Sequence, residues 1–146
     1  MVKSHFRVLL VKRLASMSPG HPFPLPSGFR FPESYLRLAR EPKFPNVTPW
    51  WFLIEDPDIA MMAYRTINES RRSRKLLLPF AKNDDESGDV ACFDGEDTSG
   101  EPRVYFAVGT GDMRDVDWIS RYFIPTFAAW LDTAAADHLT FQSRSS

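Results

Sequence analysis

The sequence predicts a single α+β domain, in which helices pack on an antiparallel sheet of about four to six strands. Three observations favour this class. The length of 146 residues fits one domain, and a chain of that size buries enough apolar surface to fold without a disulfide or a metal. The 12 prolines argue against an uninterrupted helical bundle. Apolar residues recur with helical spacing in some segments and alternate with a period of two in others.

The chain divides into an N-terminal segment over 1–29, an α+β domain over 30–137 and a frayed tail over 138–146. In the first segment, residues 6–17 are expected to form a helix, although the apolar run at their centre also suits a strand. A proline-rich stretch follows, and its phenylalanines are expected to anchor it to the core in an extended conformation. No apolar run approaches the roughly 20 residues that span a bilayer. A basic pair interrupts the first short apolar run, so a cytoplasmic location is expected.

Two helices and a strand are expected in the first part of the domain. One helix begins at Pro32, where the missing N–H of proline is harmless, and ends before Pro42. The aromatic-rich segment 50–54 predicts a strand. Asp56 is a suitable N-cap for the next helix, because a proline follows at the first helical position. Apolar residues then recur at helical spacing to about Arg72.

A change of period predicts three strands joined by polar turns, over 76–81, 89–94 and 103–109. Pro79 in the first of them indicates a bulge or an edge position, since proline cannot donate to the strand ladder. Residues 116–119 suit a short edge strand. The last element is expected to be a helix over 124–136, with a proline in its first turn.

Charge is distributed unevenly, although the net charge is only −1. Residues 1–82 carry eight more basic than acidic groups, whereas residues 83–146 carry nine more acidic than basic groups. An acidic surface attracts basic partners and repels nucleic acid, so no direct contact with nucleic acid is expected. Six acidic residues in and beside the polar turns are the candidate partner-binding residues: Asp84, Asp85, Glu86, Asp94, Glu96 and Asp97. A well-solvated turn is the alternative interpretation of each.

The sequence carries no recognisable motif for catalysis or for binding a cofactor. The segment 109–114 begins like a dinucleotide-binding loop but lacks the third glycine. The three histidines lie far apart and have no metal-ligating neighbour at helical spacing. The lone Cys92 excludes an internal disulfide, and in mid-strand it is expected to be a small buried hydrophobe. The basic run 71–75 is interpreted as the end of a helix. A binding protein that is not an enzyme and has no cofactor and no metal is therefore expected.

Several short motifs in the second half of the chain occur in the order found in a known family. They are Leu78-Pro79-Phe80-Ala81, Gly88-Asp89-Val90-Ala91-Cys92-Phe93-Asp94, Glu101-Pro102-Arg103-Val104-Tyr105 and Phe127-Ala128-Ala129-Trp130-Leu131. Together with an upstream helix start, Phe31-Pro32-Glu33-Ser34-Tyr35-Leu36, they resemble the SUKH superfamily, also called the Smi/Knr family. The motif residues expected to be structural are Pro79, Phe80, Gly88, Cys92, Phe93, Asp94, Val104, Phe127, Trp130 and Leu131.

The resemblance covers about residues 30–132 and implies an α+β fold without catalytic residues. Bacterial members are commonly immunity proteins, each of which binds and neutralises a cognate toxin domain, often a nuclease. Fungal relatives are regulatory scaffolds in cell-wall signalling. The leading hypothesis is therefore a monomeric, cytoplasmic immunity protein that occludes a toxin domain and has no membrane partner. The alternatives are a regulatory scaffold of the same fold and a small enzyme or ligand-binding domain.

Overall fold

A computed structural model describes residues 21–85 and 87–145, so the expected helix over 6–17 lies outside the described residues. The elements follow in the order α1 (Glu33–Arg40), β1 (Trp50–Phe52), α2 (Pro57–Arg65), β2 (Leu77–Asn83), β3 (Val90–Asp94), β4 (Val104–Ala107) and α3 (Phe127–Ser145). The predicted α+β class is confirmed. No helix in this part of the chain is long and apolar enough to cross a membrane.

The four strands form one antiparallel sheet in the order β1-β2-β3-β4, so each strand pairs with its neighbour in sequence. The predicted meander of three strands is confirmed as β2, β3 and β4. The first strand is shorter than the expected 50–54, because the chain leaves the sheet in a 3₁₀ turn over Leu53–Glu55.

Pro79 lies at a bulge in β2, as its sequence position predicts. Pro79 pairs with Cys92 and Ala81 pairs with Ala91, so Phe80 is the extra residue in the register. Adjacent residues of a regular strand point to opposite faces. The bulge instead allows Phe80 and Ala81 to belong to the same core cluster, and both are fully buried.

Residues 116–119 do not form the expected edge strand. The Asp117 carboxylate accepts a hydrogen bond from the N–H of Ile119 at 3.1 Å, and a local turn of this kind competes with strand pairing. Ile124 pairs with the outer edge of β4 instead, through an isolated antiparallel bridge to Val104. The two N–O distances of this bridge are 2.8 and 2.9 Å.

The two faces of the sheet bury two separate clusters. On one face, the rings of Phe80 and Phe93 stack with centroids 4.2 Å apart, and Trp130 of α3 meets Phe80 edge-on at 4.9 Å. On the other face, Cys92 packs with Tyr105. Eight of the ten expected motif residues are buried: Pro79, Phe80, Cys92, Phe93, Asp94, Val104, Phe127 and Trp130. Leu131 is half-buried, and Gly88 is exposed in the β2–β3 turn, where its φ of 62° suits glycine.

The helix α2 begins as predicted and ends differently. The Asp56 side chain accepts a hydrogen bond from the N–H of Ile59 at 3.3 Å, and a proline fills the first turn. Regular α-helix ends at Arg65, and a π-helical turn over Thr66–Ser70 replaces the predicted continuation to Arg72. Arg72 itself has a φ of 59°, a conformation that cannot continue a right-handed helix.

The helix α3 begins later and ends later than predicted. It starts at Phe127, because Ile124 is held in the bridge to β4 and the Thr126 hydroxyl accepts the N–H of Ala129 at 3.1 Å. The prediction of a frayed tail over 138–146 is wrong as far as residue 145, which is still helical. Contacts with the sheet and its loops hold these last turns: the His138 Nδ1 lies 2.7 Å from the Thr48 carbonyl oxygen.

The proline-rich stretch carries a buried histidine. His21 Nε2 lies 2.7 Å from the Tyr35 hydroxyl, and its ring stacks on Phe31 with centroids 5.0 Å apart. Burial lowers the pKa of His21 to about 3, because a charged imidazolium would lose its hydration here. His21 therefore stays neutral in the folded protein at every physiological pH.

Replacing Trp130 by alanine is expected to destabilise the fold by about 3–5 kcal/mol, because the indole fills the space between Trp50, Phe52 and Phe80. Urea unfolding at pH 7 measures the change. Leu139→Ala on the same helix is the matched control, since Leu139 is 67% exposed, and it should change stability by less than about 0.5 kcal/mol. Equal losses in both variants would contradict the packing described above.

Stability is expected to fall as pH falls from 6.5 to 5. The unfolded chain protonates His21 near its ordinary pKa of 6.5, whereas the folded chain does not until about pH 3. The unfolded state therefore binds more protons in this window, and the slope reaches about 1.4 kcal/mol per pH unit. His21→Phe should flatten the dependence of the free energy of unfolding on pH, which urea unfolding measures. His138→Gln is the control and should leave the slope of that dependence as large as in the unchanged protein. An unchanged slope in His21→Phe would disprove the assignment.

Candidate functional site

The six acidic candidates do not form one surface. The β2–β3 turn and the β3–β4 loop lie at opposite ends of β3, which is five residues long and so separates them by roughly 15 Å. Asp84 and Asp85 lie at one end, and Asp94, Glu96 and Asp97 lie at the other. Glu86 falls outside the described residues. A single partner patch built from all six is therefore excluded.

Asp94 is buried and bonded to other residues of the fold, so the prediction that it contacts a partner is wrong. Its side chain is only 4% exposed and lies 3.2 Å from Lys75 Nζ. Its other oxygen accepts a hydrogen bond from the N–H of Glu96 at 2.9 Å. Burial alone would lower the pKa of Lys75, but the hydrogen bond from Lys75 to Asp94 and the charges of both carboxylates raise it overall.

The next two acidic residues organise the β3–β4 loop. Glu96 accepts a hydrogen bond from the N–H of Leu76 at 3.0 Å and lies 3.5 Å from Lys75 Nζ. Asp97 accepts the N–H groups of Ser99 and Arg103 at 3.0 and 3.2 Å. Burial raises the pKa of Asp97, but these hydrogen bonds outweigh it and hold the pKa below its ordinary value. Loop geometry accounts for both residues.

The β2–β3 turn is joined to α3. Asp85 lies 3.8 Å from Arg144, and Asp84 lies 3.4 Å from Lys82. The Asp84 side chain is 62% exposed, so the pair with Lys82 leaves it accessible to a partner. This turn is therefore the part of the predicted acidic set that remains a candidate binding surface.

A cleft of about 520 Å³ opens beside this turn, between α3, the end of β4 and the segment 121–124. We call it the α3–β4 cleft. Nine residues line it: Trp50, Asp89, Phe106, Val108, Arg121, Tyr122, Ile124, Thr133 and Asp137. Most of the lining is apolar or aromatic, and Asp89, Arg121 and Asp137 add charged groups. This composition, with a few polar groups in a mostly apolar hollow, is typical of a binding site.

The carboxylates of the cleft have distinct environments. Asp137 Oδ2 accepts a hydrogen bond from the indole N–H of Trp50 at 3.0 Å, which fixes its direction. Burial raises the pKa of Asp89, and a hydrogen bond with Ser87 offsets only part of this. A raised pKa means that the charged form of Asp89 would gain from a nearby cation.

The exposed rim of the cleft is apolar. Tyr122 is 70% exposed, and its ring stacks against Phe106 with centroids 6.3 Å apart. Val108, which also lines the cleft, is 43% exposed. Apolar side chains of this size, gathered around a concave site, mark surfaces that bind other molecules.

The sequence did not reveal this cleft. Arg121, Tyr122 and Asp137 belong to no motif, and the fold brings them together with Asp89 around the cleft. The one available signal was the exposed aromatic pair 122–123 after a polar loop, which a strand or a core helix does not explain.

The other candidate chemical groups have structural environments. Burial raises the pKa of the Cys92 thiol, so it is not a reactive thiolate. Arg71 of the basic run donates hydrogen bonds to the carbonyl oxygens of Gly111 and Val108 at 2.7 and 2.9 Å. Among residues 21–85 and 87–145, no three His, Cys, Asp or Glu side chains come together as a metal site.

The chain matches no known protein family model, no curated protein and no solved structure.

Replacing Asp94 by asparagine should destabilise the protein by about 3 kcal/mol, because Lys75 would keep its charge in a mostly buried position without its closest counterion. Asp112→Asn is the matched control. Its pair with Arg72 is about half exposed on both sides, so the loss there should stay below about 1 kcal/mol. Urea unfolding of both variants at low and high salt measures the difference. A loss at Asp94 no larger than that at Asp112 would contradict the structural role.

Proposed function

We propose that this chain is a non-catalytic immunity protein of the SUKH superfamily, which binds a cognate toxin domain and covers its nucleic-acid-binding surface. The observation that carries the proposal is the acidic end of the sheet, defined as Asp84, Asp85, Asp89 and Asp137, together with the α3–β4 cleft that it borders. Negative charge attracts a basic partner, and exposed aromatic area stabilises the contact once it forms.

The core supports the proposed family membership. The aromatic residues of three separate sequence motifs meet in one cluster: Phe80, Phe93, Phe127 and Trp130. Residues that recur together in a family are expected to share such a structural role. The sheet with helices packed on it is also the architecture that the resemblance implies.

The acidic end suits inhibition of a nuclease-type toxin. A nuclease holds phosphate groups with lysine and arginine, so its substrate site is basic. Exposed carboxylates such as that of Asp84 steer such a surface towards the inhibitor and compete with phosphate. Apolar contacts at the rim, including Tyr122, then slow dissociation. No chemical step is required of the inhibitor.

One observation favours a second candidate function, which is the binding of a small molecule. The cleft volume of about 520 Å³ lies within the range of ligand pockets, roughly 300–1,000 Å³, and its walls carry the carboxylate of Asp89 with a raised pKa. A thermal-shift screen of metabolites on the isolated chain separates the two functions. A ligand that raises the melting temperature by several degrees would favour the second.

Co-expression should show the proposed immunity directly. The proposal predicts a toxin gene beside the gene of this chain; the toxin domain found there is produced with and without the chain, and growth is measured. Restored growth and co-purification of a stable complex are expected. Continued toxicity in the presence of well-folded chain would favour the scaffold function instead.

Reversing charge at the β2–β3 turn should slow association with the toxin domain. The double change Asp84→Lys and Asp85→Lys is expected to lower the association rate on the order of tenfold at low salt, and less at high salt, where charges are screened. Stopped-flow or surface plasmon resonance measures the rate. Glu101→Lys, an exposed reversal at the opposite end of β3, is the control and should change the rate little. Equal effects at both ends would remove the acidic end from the interface.

A further inference from the structure

The four carboxylates of the acidic end differ in their partners. Asp84 pairs with Lys82 and Asp85 pairs with Arg144. Among residues 21–85 and 87–145, neither Asp89 nor Asp137 forms an ion pair. Both line the α3–β4 cleft. The cleft therefore contains the two carboxylates of this end that form no ion pair within the described part of the chain.

The walls of the cleft suit an elongated cation with an apolar stem. Trp50, Phe106 and Ile124 contribute apolar surface, and Tyr122 adds an exposed ring at the mouth. Aromatic faces attract cations as well as hydrocarbon chains. Long basic side chains bury their stems in this way while their charged heads reach polar groups.

Among the described residues that line the cleft, Arg121 is the one cation, and it already has partners. Arg121 Nη2 donates a hydrogen bond to the Phe106 carbonyl oxygen at 3.0 Å. The guanidinium also lies over the Trp118 ring, 5.8 Å from its centroid. These contacts hold Arg121 against backbone and indole, and they leave the carboxylates of Asp89 and Asp137 without an ion pair.

We propose that the α3–β4 cleft receives an arginine side chain of the protein partner, with its guanidinium at Asp89 and Asp137 and its stem against Tyr122 and Phe106. The inference rests on the proposed function, because it names the partner chemistry of that same site. Arginine fits better than lysine, since its planar fork bonds to carboxylates in pairs and stacks on aromatic rings. A central aromatic and charged anchor of this kind dominates many interfaces.

A small probe tests the cleft without the toxin. Nα-acetyl-arginine-N′-methylamide is titrated into ¹⁵N-labelled chain, and Nα-acetyl-citrulline-N′-methylamide serves as its neutral isostere. The indole N–H of Trp50 reports on the site, because it donates to Asp137. The indoles of Trp51, Trp118 and Trp130 are internal references. We expect the arginine probe to shift the Trp50 resonance with a Kd in the millimolar range, about as weak as one isolated side chain allows.

Matched variants decide the outcome. Asp89→Asn and Asp137→Asn keep the shape of each side chain and remove its charge, and each should weaken binding of the arginine probe at least about fivefold. Glu101→Gln, at the far end of the sheet, should leave it unchanged. Equal shifts with the citrulline probe, or no loss in both asparagine variants, would overturn the proposal and favour a neutral ligand.

The toxin complex separates this inference from the proposed function. If the chain is an immunity protein and the cleft takes an arginine, Asp89→Asn and Asp137→Asn should each weaken the complex at least about tenfold. Rescue of growth with full affinity in both variants would overturn the arginine site and leave immunity standing. Binding of the arginine probe without rescue would support the site and contradict immunity.

Discussion

The stack of Phe80 on Phe93 is the contact on which the other packing depends. The two rings lie on neighbouring strands with centroids 4.2 Å apart, and both belong to the core cluster on the face that α3 covers. Phe127 and Trp130 of α3 pack edge-on against Phe80. The position of α3 above the sheet follows from this contact, and the position of the cleft follows from α3 in turn.

Local features of the fold could be predicted where the chemistry of a residue type allows only one kind of local structure. Pro79 cannot donate to a ladder and marked the bulge, and Asp56 before a proline marked the start of α2. The separation of the acidic turns also follows from the predicted meander, since successive hairpins close at opposite ends of a sheet. The candidate carboxylates of the two turns therefore belong to different ends of the sheet.

Features that depend on distant pairing could not be predicted. Asp94 is buried because Lys75, on the far side of the β2–β3 hairpin, supplies a charge to it. The last turns of α3 persist because His138 contacts the loop at Thr48, 90 residues earlier. The members of these pairs are 19 and 90 residues apart, so the periodicity of a single helix or strand does not relate them. The cleft likewise joins residues that are far apart in sequence, such as Trp50, Asp89 and Asp137.

The acidic end is held in place before any partner arrives. The Trp50 indole fixes Asp137, and Arg144 ties the β2–β3 turn to α3. Side chains that are already oriented lose less conformational entropy on binding. The Asp137 carboxylate, which the Trp50 indole orients, should therefore keep its direction between the free and bound states.

The bridge between Ile124 and Val104 also decides how this protein can meet other chains. The N–H and C=O of Val104 that face away from the sheet are both hydrogen-bonded in that bridge. The next carbonyl oxygen on this side, that of Phe106, accepts a hydrogen bond from Arg121. At the other margin, β1 has only three residues, and the Trp50 N–H is bonded to the Val47 carbonyl. A strand of another chain would find few free backbone N–H and C=O groups at either edge of the sheet. Pairing of strands between chains is therefore disfavoured. Recognition must then proceed through side chains, which is the kind of contact that can distinguish one partner from its close relatives.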